Sequence, residues 1–305
     1  MNKDEFTISE QFLDVGDGHK LYVQDWGNKN AKLPILMLHG GPGSGFKDTY
    51  KERYDPKQQR VIFFDQRGAG KSTPKGSLLN NTTEHLVEDI RKVIEYTKLK
   101  KFVIAGGSWG SCLALVFAIK YPKGIEAMVL GGIFTGTQKE IDHIDKGQFR
   151  DFFPDVWEKY ISTVPKEYKN HPSAYHYNQL NNKNALTRKK SIYAHAMLEG
   201  SLCSLDDRFT PKNFEEFEPE GHGIEMYYLA NKCFLPDKFI QKNAQKLKMP
   251  IWLVQGRYDM VCPPKTAFEL NKNLPNSKIV WTTAGHSNDR PNYDVARSLL
   301  LQITM

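Results

Sequence analysis

The spacing of apolar and polar residues changes several times along this chain, and each change predicts a different element. Two segments in which apolar and polar residues alternate, 5–15 and 20–26, flank the turn Gly16-Asp17-Gly18, an arrangement typical of an antiparallel hairpin. Short apolar runs follow at 34–38 and 60–64, and such runs are typical of strands buried on both faces. The chain therefore opens with a hairpin that leads into a buried sheet.

Helical periodicity then begins to alternate with strand-like runs. Between residues 82 and 99 the apolar positions recur every three or four residues, which predicts an amphipathic helix with Thr83 as its N-cap. A strand from Phe102, a helix over 112–119 and a strand over 127–134 come next. This alternation predicts a mainly parallel sheet with helices on both faces, an α/β fold.

The alternation stops after residue 134 and resumes near residue 248. The segment between is polar and aromatic, with helix-like stretches and no run typical of a buried strand. The pattern is completed by a strand at 249–254, a helix at 264–274, a strand at 278–283 and a helix at 292–303. We predict a core formed by residues 1–134 and 248–305, with residues 135–247 as an inserted helical cap, since loop positions tolerate insertions.

Composition narrows the class of protein. With 305 residues the chain can bury a large core, and its net charge of +7 lies in short, scattered runs, which indicates solvated faces and not a nucleic-acid surface. No apolar run approaches the length of a membrane span, and no signal-peptide pattern opens the sequence. The four cysteines lack the paired spacing of zinc sites. We expect a cytoplasmic protein without membrane or nucleic-acid partners; its oligomeric state is left open.

A Gly-x-Ser-x-Gly turn joins the strand at Phe102 to the helix that follows. This strand–turn–helix context makes the motif specific. Ser108 lies at the apex between Gly106 and Gly110, where a Cβ would collide with neighbouring backbone. Ser108 is therefore a candidate nucleophile. The alternative is a glycine-rich turn whose serine has no catalytic role. A base, an acid and an oxyanion hole elsewhere in the sequence would argue against this alternative.

These remaining parts occur in the order nucleophile, acid, base that α/β-hydrolases share. Asp259 and His286 each follow a predicted strand, at the carboxyl edge where open α/β sheets bind ligands. Asp259 is the candidate acid and His286 the candidate base. The backbone N–H groups of Gly41 and Trp109 are candidates for the oxyanion hole. His39, beside Gly41, is expected to be structural.

Together the motifs resemble the prolyl aminopeptidases, or proline iminopeptidases, which are serine peptidases of the α/β-hydrolase fold. The matching segments are His39-Gly40-Gly41-Pro42-Gly43, Asp65-Gln66-Arg67-Gly68-Ala69-Gly70-Lys71-Ser72, Gly106-Gly107-Ser108-Trp109-Gly110-Ser111, Gly256-Arg257-Tyr258-Asp259 and Gly285-His286-Ser287. The resemblance implies an enzyme that releases an N-terminal residue, preferably proline, from short peptides with a free N-terminus. It implies an acyl-enzyme intermediate and neither a metal nor an organic cofactor.

The resemblance also implies roles in the cap. Family caps carry glutamates that hold the free amino terminus of the substrate, and Glu199 and Glu225 stand at matching positions. Each lies in a mostly apolar helical run, where a buried carboxylate is costly unless a cation meets it. Without the resemblance, two acids at solvent-facing helix ends would be the preferred interpretation. Phe134 matches a residue of the pocket wall.

Several departures from the family pattern concern this pocket. Leu198 replaces a tryptophan, Leu229 stands where an aromatic pocket residue is expected, and tyrosine positions are taken by His143 and Ile144. A less aromatic pocket is expected to accept small N-terminal residues besides proline. An esterase or amidase of the same fold, acting on non-peptide substrates, is the main alternative, and a non-catalytic binding protein is a weaker one.

Overall fold

An eight-stranded sheet forms the centre of the computed structural model, which describes residues 3–205, 213–286 and 290–305. Its strands are β1 (Thr7–Gly16), β2 (His19–Gly27), β3 (Ile35–Leu38), β4 (Arg60–Phe64), β5 (Phe102–Ser108), β6 (Ile125–Ile133), β7 (Ile251–Gly256) and β8 (Ser277–Thr282). They lie in the order β1-β2-β4-β3-β5-β6-β7-β8. The β1–β2 and β2–β4 pairs are antiparallel and all the others are parallel, which confirms the predicted hairpin and mainly parallel sheet.

The α-helices of the described residues are α1 (Thr83–Tyr96), α2 (Trp109–Lys120), α3 (Gln138–Asp145), α4 (Pro154–Ser162), α5 (Pro172–Gln179), α6 (Ala185–Leu202), α7 (Glu220–Ala230), α8 (Phe239–Asn243), α9 (Pro264–Asn273) and α10 (Arg290–Thr304). Apolar residues of α1, α2 and α9 share one core cluster with the sheet, and those of α10 share another. Helices therefore cover both faces, as predicted.

Two-sided burial explains the apolar runs of the parallel strands. Successive strand residues point to opposite faces. In β3, Leu36 and Leu38 belong to the cluster under α1 and α2, whereas Ile35 and Met37 belong to the cluster under α10. Burial of each such side chain contributes roughly 1.5–3 kcal/mol. A polar residue at any of these positions would face an apolar layer, so apolar and polar residues do not alternate along this strand.

The predicted N-cap of α1 is wrong by one residue. Thr82 is the residue with extended backbone, at φ −127° and ψ 167°, and α1 begins at Thr83. The hydroxyl of Thr83 donates to the carbonyl oxygen of Cys233, more than a hundred residues later in the chain. This long-range partner fixes Thr83 inside the first turn.

Between β6 and β7 the described residues form helices α3 to α8, which we call the cap helices, and no strand. Residues of α4 and α6 pack in small apolar clusters of their own. Helix α7 joins the two regions, because Ile224 and Tyr228 belong to the large core cluster and Met226 to a cap cluster. The boundary at residues 135–247 stays a prediction. None of the described helices has the length and apolar character needed to cross a bilayer.

Candidate active site

Ser108 occupies a strained turn between β5 and α2. Its backbone has φ 56° and ψ −127°, a region that costs a non-glycine residue about 1–3 kcal/mol. A Cβ on Gly106 would lie 2.6 Å from the carbonyl oxygen of Gly110, and one on Gly110 would lie 2.2 Å from that of Leu38. The predicted need for glycine at both positions is confirmed, and the turn holds the Ser108 side chain above the sheet edge.

Asp259 and His286 form a buried hydrogen-bonded pair after β7 and β8. The His286 Nδ1 donates to Asp259 Oδ2 over 2.9 Å, and the side chains are 6% and 0% exposed. The other carboxylate oxygen accepts the backbone N–H groups of Val261 and Cys262 at 3.0 and 2.7 Å. Burial lowers the pKa of His286, but the charge and hydrogen bond of Asp259 outweigh it and raise the pKa above its usual value.

Ser108 and His286 line one cavity of about 360 Å³ at the carboxyl edge of the sheet. Among the residues that the structure describes, no hydrogen bond joins their side chains. Such bonds commonly tighten only when substrate is bound. The structure thus brings the three candidate catalytic groups to one edge of the sheet. Ser287, which follows His286 in the matching motif, lies outside the described residues.

The two candidate oxyanion donors lie on either side of Ser108. Gly41 lines a second, smaller cavity with Ser108 and has φ 106°, where a Cβ would lie 2.7 Å from the backbone nitrogen of Gly43. Trp109 is the first residue of α2, and first-turn N–H groups have no partner within their own helix. This placement suits a negatively charged oxygen near Ser108, and the assignment itself stays a prediction.

His39 supports the loop that carries Gly41. Its Nε2 accepts the backbone N–H of Gln66 at 2.9 Å, and its Nδ1 donates to the carbonyl oxygen of Gly40 at 2.8 Å. Burial lowers the pKa of His39, so the ring stays neutral. The side-chain oxygen of Gln66 accepts the indole N–H of Trp109 at 2.9 Å. His39 therefore has a structural role: through Gln66 it connects the loop that carries Gly41 with Trp109.

The smaller cavity, about 50 Å³ in volume, lies between Ser108 and the cap helices, and we call it the cap cavity. It is lined by all the residues that the sequence assigned to substrate binding together with two catalytic candidates: Gly41, Ser108, Phe134, Glu199, Glu225 and Leu229. Ile144 and Leu198, two of the departures from the family pattern, line it as well. A cavity of this volume admits only a small group.

Glu199 on α6 and Glu225 on α7 meet in the cap cavity. Burial raises the pKa of Glu225 to about 7. Burial raises the pKa of Glu199 well above its usual range, and the charge of Glu225 and the hydrogen bond between the carboxyls raise it further. Both carboxyls therefore hold a proton more readily than ordinary glutamates do. Two such carboxyls form a strong site for a cation, because a cation offsets both their burial and their repulsion.

Two residues at the site were missed by the sequence analysis. His195 lies one turn before Glu199 on α6, and ligand atoms of His195, Glu199 and Glu225 all lie within 4.8 Å of one another, a grouping that could seat a metal ion or an ammonium group. Gln255 donates its amide N–H to Asp259 Oδ2 at 3.1 Å. A lone histidine in a helical run carries no signal, whereas Gln255 could have been noticed at the end of β7.

The cap helices are attached directly to the catalytic loops. Tyr228, one turn after Glu225, packs edge-on against Trp109 with ring centroids 5.0 Å apart, and its hydroxyl donates to Asn81 at 3.0 Å. At the end of α6, the carbonyl oxygen of Cys203 accepts the backbone N–H of His286 at 3.1 Å. These contacts fix the two glutamates relative to Ser108.

Comparison with known proteins agrees with this arrangement. Residues 34–288 match the family model described as alpha/beta hydrolase fold. The chain is 37% identical to the proline iminopeptidase of Xylella fastidiosa over 92% of this chain and 91% of that protein. It is 36% identical to the proline iminopeptidase of Arabidopsis thaliana over 92% of this chain and 75% of that protein.

Solved structures show the same fold. An esterase from Exiguobacterium antarcticum has a TM-score of 0.67 at 19% identity, covering 96% of this chain and 98% of that one. A proline iminopeptidase from Mycobacterium smegmatis has a TM-score of 0.61 at 18% identity, covering 97% of each chain. Likeness at these identities concerns the fold alone, and it confirms the predicted α/β-hydrolase architecture.

Proposed function

The chain belongs to the proline iminopeptidase family of α/β-hydrolases, and from this membership we propose that it is a serine aminopeptidase that releases an N-terminal residue, preferably proline, from short peptides. One observation carries the proposal: Ser108 shares the cap cavity with two glutamates whose pKa values are raised. A substrate ammonium between these carboxyls sets the first peptide carbonyl at Ser108. An uncharged ester gains no binding energy from the two carboxyls. The cavity therefore favours substrates with an ammonium group, which supports a peptidase over the esterase alternative.

Acyl transfer follows from the three groups at the sheet edge. His286, held by Asp259, takes the proton of the Ser108 hydroxyl as its oxygen attacks the carbonyl carbon. The N–H groups of Gly41 and Trp109 stabilise the oxyanion, and loss of one such donor typically costs about 3–4 kcal/mol. His286 then gives its proton to the departing amine. Water hydrolyses the acyl-Ser108 ester by the same route, and no step requires a metal or an organic cofactor.

The cap cavity sets the point of cleavage. Glu199 and Glu225 hold the ammonium, while Phe134 and Leu229 contact the side chain of the first residue. Because the cavity has room for one small residue, the scissile bond lies one residue from the N-terminus. Fixing the substrate at both ends in this way contributes to the rate by removing rotational and translational freedom before the reaction.

We also propose the cytoplasm as the site of action. Cys112, Cys233 and Cys262 are buried and form no disulfide. Free thiols persist where the compartment is reducing. Short peptides with a free N-terminus are the partners that the cap cavity fits.

Substitution of Glu199 by Gln tests the proposal. We expect kcat/KM on proline p-nitroanilide to fall by about tenfold or more, because the ammonium loses a charged partner. Hydrolysis of p-nitrophenyl acetate, which carries no ammonium, should change by less than about twofold. Glu167→Gln, at an exposed cap position, is the matched control and should alter neither rate.

Three outcomes would contradict the proposal. Equal losses on both substrates in Glu199→Gln would exclude capture of the amino terminus. A wild-type protein that hydrolyses the ester but no aminoacyl anilide would be an esterase. A wild-type protein that fails to react with a fluorophosphonate would be a binding protein.

The variant Ser108→Ala should lose both activities. Its circular dichroism spectrum should match that of the wild type, which would show that the loss is not due to unfolding.

A further inference from the structure

Two cavities meet at Ser108, and they differ in the charged groups that line them. The cap cavity contains Glu199 and Glu225. The cavity of about 360 Å³, which we call the edge cavity, is lined by Ser108 and also contains Arg53. Among the described residues, His286 lines the edge cavity and not the cap cavity. Ser108 therefore borders a space with two acids and a second space that contains a guanidinium group.

The position of His286 indicates which part of the substrate enters the edge cavity. In the proposed mechanism the N-terminal residue occupies the cap cavity, and His286 gives its proton to the departing amine. This amine is the backbone nitrogen of the second residue, so it lies within hydrogen-bond reach of the His286 ring. The ring borders the edge cavity, since a Cβ on Gly132, which also lines this cavity, would lie 3.0 Å from His286 Cε1. The leaving group therefore extends into the edge cavity.

Arg53 lies in the edge cavity without a carboxylate partner among the described residues. Its Nε is buried and has no hydrogen-bond partner in this part of the chain. The guanidinium carbon lies over the rings of Tyr50 and Tyr293, at 4.7 and 5.7 Å from their centroids. Arg67, by contrast, is paired with Asp89 at 2.7 Å. The two rings orient the planar head of Arg53, and its donors stay available for an anion.

A carboxylate is the anion that suits this group. The fork of a guanidinium matches the two oxygens of a carboxylate, and such pairs form two parallel hydrogen bonds. Glu52 and Arg290 also line the edge cavity, but both are exposed, and Arg53 is less exposed than either. Arg290 already lies 3.6 Å from Asp294. Arg53 is therefore the cation that a carboxylate inside the cavity meets.

We propose that Arg53 binds the C-terminal carboxylate of the substrate and that the enzyme prefers short peptides whose C-terminus is free. The proposal rests on the proposed function. The volume of the edge cavity, about 360 Å³, lies in the range of pockets that hold small ligands, about 300–1,000 Å³, so it has room for a leaving group of one or a few residues. The peptide is then held at both ends, with its ammonium group in the cap cavity and its carboxylate in the edge cavity. The preferred substrates are short zwitterionic peptides.

Two dipeptides that differ only at the C-terminus test the inference. Pro-Ala ends in a carboxylate, and Pro-Ala-NH2 ends in a neutral amide of the same length. We expect wild-type kcat/KM to favour Pro-Ala by about tenfold or more, because only the carboxylate forms a charge-assisted pair with Arg53. In Arg53→Met the ratio should fall to within about threefold of unity. The pair is present before and during the reaction, so the loss should raise KM for Pro-Ala and leave kcat similar. Release of free proline measures the rates.

Arg91→Met is the matched control. It removes the same charge from an exposed position of α1, and Arg91 lines neither cavity, so the substrate ratio should be unchanged. Hydrolysis of Pro-Ala-NH2 is a second control, and in Arg53→Met it should stay within about twofold of wild type. Labelling with a fluorophosphonate and the melting temperature report folding in every variant. If Arg53→Met does not fold, Arg53→Gln removes the charge and keeps a planar polar group beside the tyrosine rings.

The outcomes separate the inference from the proposed function. A wild-type enzyme with equal kcat/KM on the two dipeptides, or a folded Arg53→Met that keeps the wild-type ratio, would overturn the role of Arg53 alone. Equal losses on both dipeptides in a folded Arg53→Met would show that Arg53 only supports the site, and would also overturn the inference. A wild-type protein that hydrolyses neither dipeptide would overturn the proposed function itself.

Discussion

Three acids line the cap cavity, and their hydrogen-bond partners distinguish their roles. Glu140 accepts hydrogen bonds from the backbone and hydroxyl groups of Thr135 and Thr137 at 2.6–3.0 Å, so its carboxylate is satisfied within the protein and caps α3. Glu199 and Glu225 instead face each other: burial raises the pKa of both, and the charge and hydrogen bond of Glu225 raise the pKa of Glu199 further. His222 Nδ1 lies 3.5 Å from Glu225, and in the proposed function the ammonium group of the substrate supplies the cation for the pair.

Removal of one of these carboxyls should stabilise the protein at high pH. The pKa of Glu225 is raised from 4.5 to about 7, so the folded state binds its proton more tightly than the unfolded state does. Its contribution to stability is therefore present below about pH 4.5 and is lost as pH rises towards 7. We expect Glu225→Gln to raise the free energy of unfolding at pH 8 by on the order of 1–3 kcal/mol.

Calorimetry at pH 4.5 and pH 8 checks this expectation. The gain in Tm for Glu225→Gln should be clear at pH 8 and small at pH 4.5, where both proteins carry an uncharged side chain. Hydrolysis of proline p-nitroanilide should fall at the same time, since stability and substrate binding place opposite demands on the carboxyl. A Tm that drops equally at both pH values would show that Glu225 is a structural residue.

At the scale of elements, the crossing of β3, β5 and α2 determines the position of Ser108. Gly110 lies where α2 approaches the backbone of β3, and this close approach presents the first-turn N–H groups of α2 beside the end of the strand. Arg67, in the loop after β4, forms a buried ion pair with Asp89 of α1 at 2.7 Å, which ties this loop to α1. The turn is rigid because backbone contacts, and not only side chains, enforce it.

Gly110→Ala should separate these elements. Its Cβ would lie 2.2 Å from the carbonyl oxygen of Leu38, so β3 and α2 have to move apart, at a cost of about 2–4 kcal/mol in the free energy of unfolding. Gly107→Ala is the matched control, because its Cβ would lie at an ordinary 3.6 Å from the nearest atom, the carbonyl oxygen of Gly131. Urea unfolding measures both variants, and equal losses would contradict the role given to Gly110.

At the scale of the whole molecule, the cap helices are packed against the core beside the catalytic residues. Helix α7 packs on the core through Tyr228, and the end of α6 is bound to the loop of His286. In the proposed binding mode the N-terminal residue occupies the cap cavity, and the remainder of the substrate lies on the side of Ser108. A compact protein domain cannot follow its own first residue into this space.

We therefore expect activity to depend on substrate length and folding. Peptides of two to four residues with N-terminal proline should be cleaved with similar kcat/KM. A folded protein with the same N-terminal sequence should be cleaved at least about a hundredfold more slowly, since reaching the site requires local unfolding of several kcal/mol. Release of free proline measures the rates. Equal rates on the folded protein and the peptides would show that the cap does not restrict access.

Local pattern alone was sufficient for much of this molecule. The order of strands and helices followed from apolar periodicity, because burial on one or both faces imposes a spacing that is visible in any short window. The need for glycine around Ser108 followed from the sterics of a strand–turn–helix junction. The meeting of Ser108, Asp259 and His286 at one site also followed, because each residue follows a parallel strand and parallel strands bring their carboxyl ends to one edge of the sheet.

Other features depended on contacts between distant segments. Glu199 and Glu225 lie on different helices, and the sequence alone favoured solvent-facing acids; only the packing of α6 against α7 decided that they share a cavity. The same packing left both ring nitrogens of His195 without a hydrogen-bond partner among the described residues. The N-cap of α1 is Thr82 and not the predicted Thr83, because the hydroxyl of Thr83 bonds to the carbonyl oxygen of Cys233, far along the chain. Periodicity fixes which faces are buried, but the partner of a buried polar group is set by the tertiary structure.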